Sequence, residues 1–119
     1  MATKNRDATR FFSDRHEKSI CKALGAKQQS NSGAGAFRKG DCIQNEASLL
    51  IEAKTTMTDK ESFSVKKDWI LKNKEEAFAL RKLNSCICFN FGPEQENFYV
   101  INERLMKFLV DKLAEDLVE

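Results

Sequence analysis

The chain has 119 residues, 41% hydrophobic and 32% charged, so it has the size of one domain and enough apolar residues for one core. No apolar run approaches the ~18–20 residues of a membrane helix, and the polar N-terminus lacks a secretory signal, so we expect no membrane partner. The net charge of +2 is unevenly divided: residues 1–40 carry nine Lys or Arg and three Asp or Glu, and residues 41–119 carry eleven and fifteen. This asymmetry indicates a polyanionic partner, although a solvated basic tail has the same charge.

The first part of the chain predicts an arm followed by a helix. Residues 1–12 show no periodicity and are expected to form a flexible basic arm ahead of a single domain at 13–119. A helix is predicted from about Ser13 to Leu24, with Ser13 able to cap its start and Gly25 its end.

A loop rich in small and basic residues comes next. The segment 30–40 follows a short predicted strand at 28–30 and contains glycines, serines and two basic residues. Such a loop can approach a phosphate backbone closely, and an ordinary flexible hairpin loop has the same composition.

Strands and helices then alternate along the rest of the chain. The predicted elements are strands at 41–44, 48–56, 86–91 and 98–101, and helices at 66–83 and after Asn102. Because helices and strands are interleaved, we expect an α/β sandwich with a mixed central sheet.

Two carboxylates and a lysine form the pattern with the clearest chemistry. Asp41 begins one strand and Glu52 lies on the next, across a tight turn, so a hairpin can bring both to one sheet edge. Lys54 is two residues from Glu52 and points to the same side. Such carboxylates suit Mg²⁺ or Mn²⁺, and a nearby ammonium can orient a water and neutralise charge on phosphorus. The pattern predicts phosphodiester hydrolysis; a solvated cross-strand ion pair is the structural alternative.

The four cysteines and one histidine lack the spacing of a zinc site. We expect the cysteines to be buried thiols, with Cys86 and Cys88 on the same face of a strand. We expect His16 at the surface without a role, and Trp69 in the core rather than as a platform for stacked bases.

The order of Asp41 and then Glu52-Ala53-Lys54 resembles the PD-(D/E)XK nuclease signature. Upstream, Glu17 on the first helix and the loop Ser32-Gly33-Ala34-Gly35 are similar to archaeal-type and phage Holliday junction resolvases.

Two further segments carry the same resemblance, which covers about residues 13–101. The run Ile51-Glu52-Ala53-Lys54-Thr55-Thr56 looks like the I-E-C-K-T motif of these resolvases, and the segment 63–69 is similar to phage members. Gly40 stands where the family often has proline, and Lys18 where archaeal members often have arginine.

The resemblance implies a restriction-endonuclease-like three-layer sandwich and a role for particular residues. Glu17, Asp41 and Glu52 would bind Mg²⁺, with Mn²⁺ as a substitute. Lys54 would handle the attacking water. The resemblance also places Ser32 and the adjacent glycines, Gly33 among them, against the DNA strand. We further expect DNA contacts from Lys18, Arg38, Lys39 and Lys66.

These observations lead us to expect a metal-dependent DNA endonuclease without a small-molecule cofactor, most nearly a Holliday junction resolvase that nicks four-way junctions symmetrically. Symmetric cutting needs two sites, so we expect a homodimer formed through the strand at 86–91 and the helix after Asn102. The alternatives are a nicking or restriction-like nuclease of the same fold, a non-catalytic DNA-binding module, or an RNA nuclease. We expect the protein in the cytoplasm of a prokaryotic or phage-infected cell.

Overall fold

The computed structural model describes residues 2–29 and 41–118. This part of the chain forms an α/β structure of three helices and five strands. In chain order these are α1 (Ala2–Leu24), β1 (Lys27–Gln28), β2 (Asp41–Gln44), β3 (Leu49–Lys54), α2 (Lys67–Ala79), β4 (Asn84–Phe89), β5 (Phe98–Val100) and α3 (Glu103–Val118).

The five strands form one mixed sheet in the order β1-β2-β3-β4-β5, so each strand pairs with the strand next to it in the chain. The β3–β4 pair is parallel, because α2 carries the chain back between the two strands, and the other three pairs are antiparallel. The register of the β2–β3 hairpin sets Asp41 directly opposite Glu52.

The two faces of the sheet pack against different helices. On one face, Ile20 of α1 packs in a cluster with Cys42, Ile51 and the neighbouring β4 cysteines. On the other face, Ala77 of α2 packs with Ile43 and Leu50. Because adjacent strand residues point to opposite faces, this arrangement accounts for Cys42 and Ile43 lying in different clusters.

The start of α1 differs from the prediction. The helix begins at Ala2, so residues 2–12 are helical rather than an irregular arm, and Ser13 lies inside the helix instead of capping it. Ala, Lys and Arg make up five of these eleven residues, which favours a helix by intrinsic propensity without an apolar stripe. The predicted end is confirmed: Gly25 has a φ of 66°, and the N–H of Ala26 donates to the carbonyl of Cys21.

Helix α2 is shorter than the prediction of 66–83. It ends at Ala79, and Arg81 adopts a left-handed φ of 60° while the N–H of Lys82 donates to the carbonyl of Ala77. This is the pattern of a Schellman C-cap, with Arg81 at the left-handed position where glycine is usual. Strand β4 then begins at Asn84, earlier than predicted.

Strand β4 is the part of the predicted dimer surface that the structure corrects. Cys86, Ile87 and Cys88 are all buried, because β4 is an inner strand of the sheet and its two cysteines pack in the cluster that contains Ile20 of α1. By contrast, α3 has no buried residue, and within it only Leu105 is half-buried. None of the helices in the described ranges combines the length and apolar character that crossing a bilayer requires.

Candidate metal centre

Asp41 and Glu52 meet on the face of the sheet that α2 covers. They are paired residues of the β2–β3 hairpin, so their side chains project from the same face. Both residues are buried, with exposed fractions of 1% for Asp41 and 4% for Glu52. The predicted convergence of these two carboxylates is therefore present in the structure.

Glu76 of α2 joins these two carboxylates, and sequence reasoning missed it. One oxygen from each of Asp41, Glu52 and Glu76 can be chosen so that all three lie within 4.8 Å of one another. We call these three residues the carboxylate group. A signal was present in the sequence: Asn73 and Glu76 are polar residues within a stripe of α2 that otherwise contains apolar residues.

Lys54 lies beside the carboxylate group, as the two-residue spacing predicted. Its Nζ atom is 2.7 Å from Glu52 Oε2. The same atom is 4.4 Å from the centre of the Trp69 ring, and Nζ of Lys66 is 5.6 Å from that ring. Trp69 is half-buried, so it is neither a fully buried core residue nor a fully exposed ring on which bases could stack. Its ring makes cation–π contacts with both ammonium groups.

The carboxylate group has the chemistry of a divalent cation site. Carboxylate oxygens are hard ligands of the kind that Mg²⁺ prefers, and Mn²⁺ accepts the same donors. Two buried carboxylates and the half-buried one of Glu76 repel one another unless positive charge lies among them, and Lys54 supplies at most one charge. Within the described residues, the buried Oε1 atom of Glu52 has no hydrogen-bond partner. Asp41, Glu52 and Glu76 could therefore hold a metal ion.

Glu17 is not brought into the carboxylate group. It is buried on α1, where its Oε1 atom accepts a hydrogen bond from Nε2 of Gln28 at 3.0 Å. Helix α1 packs on the face of the sheet that carries Cys42, whereas Asp41 projects from the opposite face. The metal-ligand role of Glu17 stays a prediction.

The described residues that were predicted to contact DNA lie apart from each other. Lys18 is exposed, pairs with Asp14 at 2.9 Å, and lowers the pKa of that carboxyl through this hydrogen bond. It lines a polar cleft of about 380 Å³ together with Arg15 and Thr55. Lys66 is exposed at the start of α2. The other four predicted contacts, Ser32, Gly33, Arg38 and Lys39, lie outside the described residues.

The prediction that His16 lies at the surface is wrong. The residue is 5% exposed, and its Nδ1 atom is 3.0 Å from the hydroxyl oxygen of Thr55. Its Nε2 atom is 3.5 Å from Sγ of Cys88. Burial lowers the pKa of His16, partly opposed by a hydrogen bond with Asn97, so the ring is held neutral where α1 crosses the end of β3.

The prediction of buried cysteines is confirmed for Cys42, Cys86 and Cys88. All four are free thiols; three are buried and Cys21 is half-buried. Burial raises the pKa of Cys86 to about 12, the pKa of Cys88 to about 12, and the pKa of Cys42 as well. They pack in the core as small apolar groups.

Comparison of the chain with protein-family models, with curated proteins and with solved structures finds no match. The nuclease resemblance of the sequence motifs therefore remains a prediction for this chain.

Proposed function

We propose that this protein is a divalent-metal-dependent endonuclease of the restriction-endonuclease-like fold, acting on DNA, and most nearly a Holliday junction resolvase. The single observation that carries the proposal is the carboxylate group with the ammonium of Lys54 beside it. Asp41 and Glu52 come from paired strands and Lys54 follows Glu52 on the same face, in the order and spacing that the nuclease signature has.

Each part of this site has a task in phosphodiester hydrolysis. Asp41, Glu52 and Glu76 would hold Mg²⁺ or Mn²⁺, which when bound lowers the pKa of water and polarises a phosphate. The ammonium of Lys54 would orient the attacking water and balance the charge that develops on phosphorus. Trp69 holds that ammonium in place through its ring face.

A polyanionic substrate fits the charge of the chain. Residues 1–40 have a net charge of +6, from nine basic and three acidic residues, the exposed Lys18 among them, and Lys66 is an exposed ammonium group at the start of α2. Each phosphate that a lysine or arginine neutralises contributes about 0.9 to the salt dependence of binding to duplex DNA.

Symmetric cutting of a four-way junction requires two copies of the site, so the proposal includes a homodimer. Helix α3 is the surface that supports it. Leu113 is 60% exposed and Leu117 is 83% exposed, and an apolar groove of about 1110 Å³ lies between the first half of α3 and the sheet. Exposed apolar surface on this scale is typical of a surface that meets a partner.

The deciding experiment is cleavage of a labelled four-way junction in Mg²⁺, beside a linear duplex of the same sequence. We expect paired nicks in the junction, lost in Glu52→Gln and in Glu76→Gln, because each substitution removes one charged ligand while keeping the size of the side chain. Glu75→Gln is the matched control, since Glu75 is the exposed neighbour of Glu76 on α2. We expect it to cut as the wild type does.

Other results would lead to the remaining candidates. Cutting of both substrates, with the same loss in the two variants, would retain the site and assign a nicking or restriction-like nuclease. Junction binding without any cutting, unchanged in Glu52→Gln, would contradict catalysis and favour a DNA-binding module. Loss of cutting in Glu75→Gln as well as Glu76→Gln would show that the effect is not specific to the carboxylate group.

A further inference from the structure

Asn73 lies on the face of α2 that is turned toward the sheet and the carboxylate group. Trp69 lies beside Lys54, and Ala77 packs with Leu50, so α2 runs antiparallel to β3. Four helix residues rise about 6 Å and two strand residues about 6.7 Å, so successive turns of α2 match alternate residues of β3. Asn73 is midway between Trp69 and Ala77, which places it at the level of Glu52.

The amide of Asn73 is a buried donor without a hydrogen bond. The residue is 2% exposed, and its Nδ2 atom has no hydrogen-bond partner within the described residues. Oε1 of Glu52 is a buried acceptor that also has no hydrogen-bond partner within the described residues. Native structures rarely leave such groups unsatisfied, because each loses its hydrogen bonds to water on burial. A donor and an acceptor at the same level of the sheet point to a shared polar ligand.

We propose that Asn73 is a positioning residue of the metal centre. With a cation bound, the Nδ2 group of Asn73 would hold a water beside the carboxylate group, and that water would donate to Oε1 of Glu52. Mg²⁺ in proteins keeps several waters, which supplies the ligand that both groups need. The inference rests on the proposed function, because it requires a cation in the carboxylate group.

The role of Asn73 predicts opposite effects of one substitution on metal affinity and on the stability of the metal-free protein. In Asn73→Leu, which keeps the branched shape and the number of side-chain heavy atoms, we expect the dissociation constant for Mn²⁺ to rise about 10- to 100-fold, as for other residues that orient metal ligands. We expect the melting temperature without metal to be unchanged or higher, since the substitution removes an unsatisfied buried group. Calorimetric titration with Mn²⁺ and thermal melting in chelator measure the two quantities without DNA.

Asn90→Leu is the matched control. Asn90 is also buried, but its Nδ2 atom donates to Oδ1 of Asn97, and its Oδ1 atom accepts from the N–H of Gly92. We expect this variant to bind Mn²⁺ as the wild type does, and to melt about 4 °C lower without metal. Asn73→Ala is a second variant with the same expected loss of affinity, for use if leucine prevents folding.

The outcomes separate this inference from the proposed function. Wild-type Mn²⁺ affinity in both Asn73 variants would overturn the role of Asn73 and leave the metal centre in place. A parallel fall in affinity and in metal-free melting temperature would also overturn it, because that is the signature of a packing residue. Failure of the wild type to bind Mn²⁺ or Mg²⁺ would instead overturn the metal centre and the proposed function with it.

Discussion

The ammonium of Lys54 is fixed by two contacts of different kinds. The carboxylate of Glu52 attracts it as an ion, and the indole face of Trp69 attracts it through the ring quadrupole, a contact worth about 0.5–2 kcal/mol. The Glu52 side chain is 5% exposed, so this pair is shielded from water far more than a surface ion pair. The position of the ammonium is therefore set by the fold itself.

His16 predicts a loss of stability at mildly acidic pH. Burial lowers its pKa in the folded protein below the unfolded value of about 6.5, so the unfolded chain binds the proton more readily. The stability that the neutral ring contributes is complete above about pH 6.5 and falls as the pH drops toward the folded pKa. We expect the melting temperature of the wild type to decrease more between pH 7.5 and pH 5 than that of His16→Gln.

Thermal melting of the two proteins at both pH values checks this expectation. Glutamine can still hydrogen-bond to the hydroxyl of Thr55, so the comparison removes the titration of His16 while other groups titrate alike in both proteins. An equal decrease in the two proteins would contradict the assignment of His16 as the titrating group.

The strand half of the site was predictable from the sequence, and the helix half was not. A period of two puts Glu52 and Lys54 on one side, and the short turn between the strands sets the register that brings Asp41 opposite Glu52. Whether Glu76 lies near Asp41 and Glu52 depends on how α2 is rotated about its own axis. The packing of Ala77 of α2 against Leu50 sets that rotation. The burial of His16 was predictable as well, because the residue lies four positions before Ile20 and eight before Leu24, on the apolar stripe of α1.

At the scale of elements, α3 is a helix with a defined N-cap but little packing against the rest of the protein. Oδ1 of Asn102 accepts a hydrogen bond from the N–H of Leu105 at 2.9 Å, as the predicted cap requires, but no α3 residue is buried. The cap therefore stabilises α3 itself more than it stabilises the rest of the protein. The sequence predicted this element well because its start depends on one local hydrogen bond.

Asn102→Ala is expected to weaken α3 by about 1 kcal/mol, since it removes that cap. We expect a smaller helical signal in far-UV circular dichroism with little change in the melting of the core, followed by the fluorescence of Trp69. Asn102→Asp, which retains a capping oxygen, should behave as the wild type does. A fall in core melting that matches the loss of helical signal would show instead that α3 unfolds together with the sheet.

At the scale of the whole molecule, the proposed homodimer depends on the apolar side of α3. We expect the wild type to have twice the chain mass of 13.6 kDa in light scattering, and Leu113→Glu to be monomeric, because a charge would be buried against the partner. Lys112→Glu is the control: it places a glutamate at the neighbouring exposed position, with a larger change in net charge, without removing an apolar contact.

Junction cutting links this assembly to the proposed activity. The monomeric variant should nick one strand at a time instead of making paired symmetric nicks. A monomeric wild type, or equal dissociation by both substitutions, would contradict an interface centred on the apolar side of α3.

The order of the strands in the sheet has a consequence for how the chain reaches this structure. Every described strand pairs with the strand that precedes or follows it in the chain. Each pairing therefore closes only the loop between two consecutive strands, which limits the conformational entropy lost in each closure. The sheet can grow outward from the β2–β3 hairpin one strand at a time, with α2 delivering β4 alongside β3. Sequence-local pairing of this kind favours fast folding over a search among distant segments. The two carboxylates of that hairpin would then be among the first residues to acquire their final neighbours.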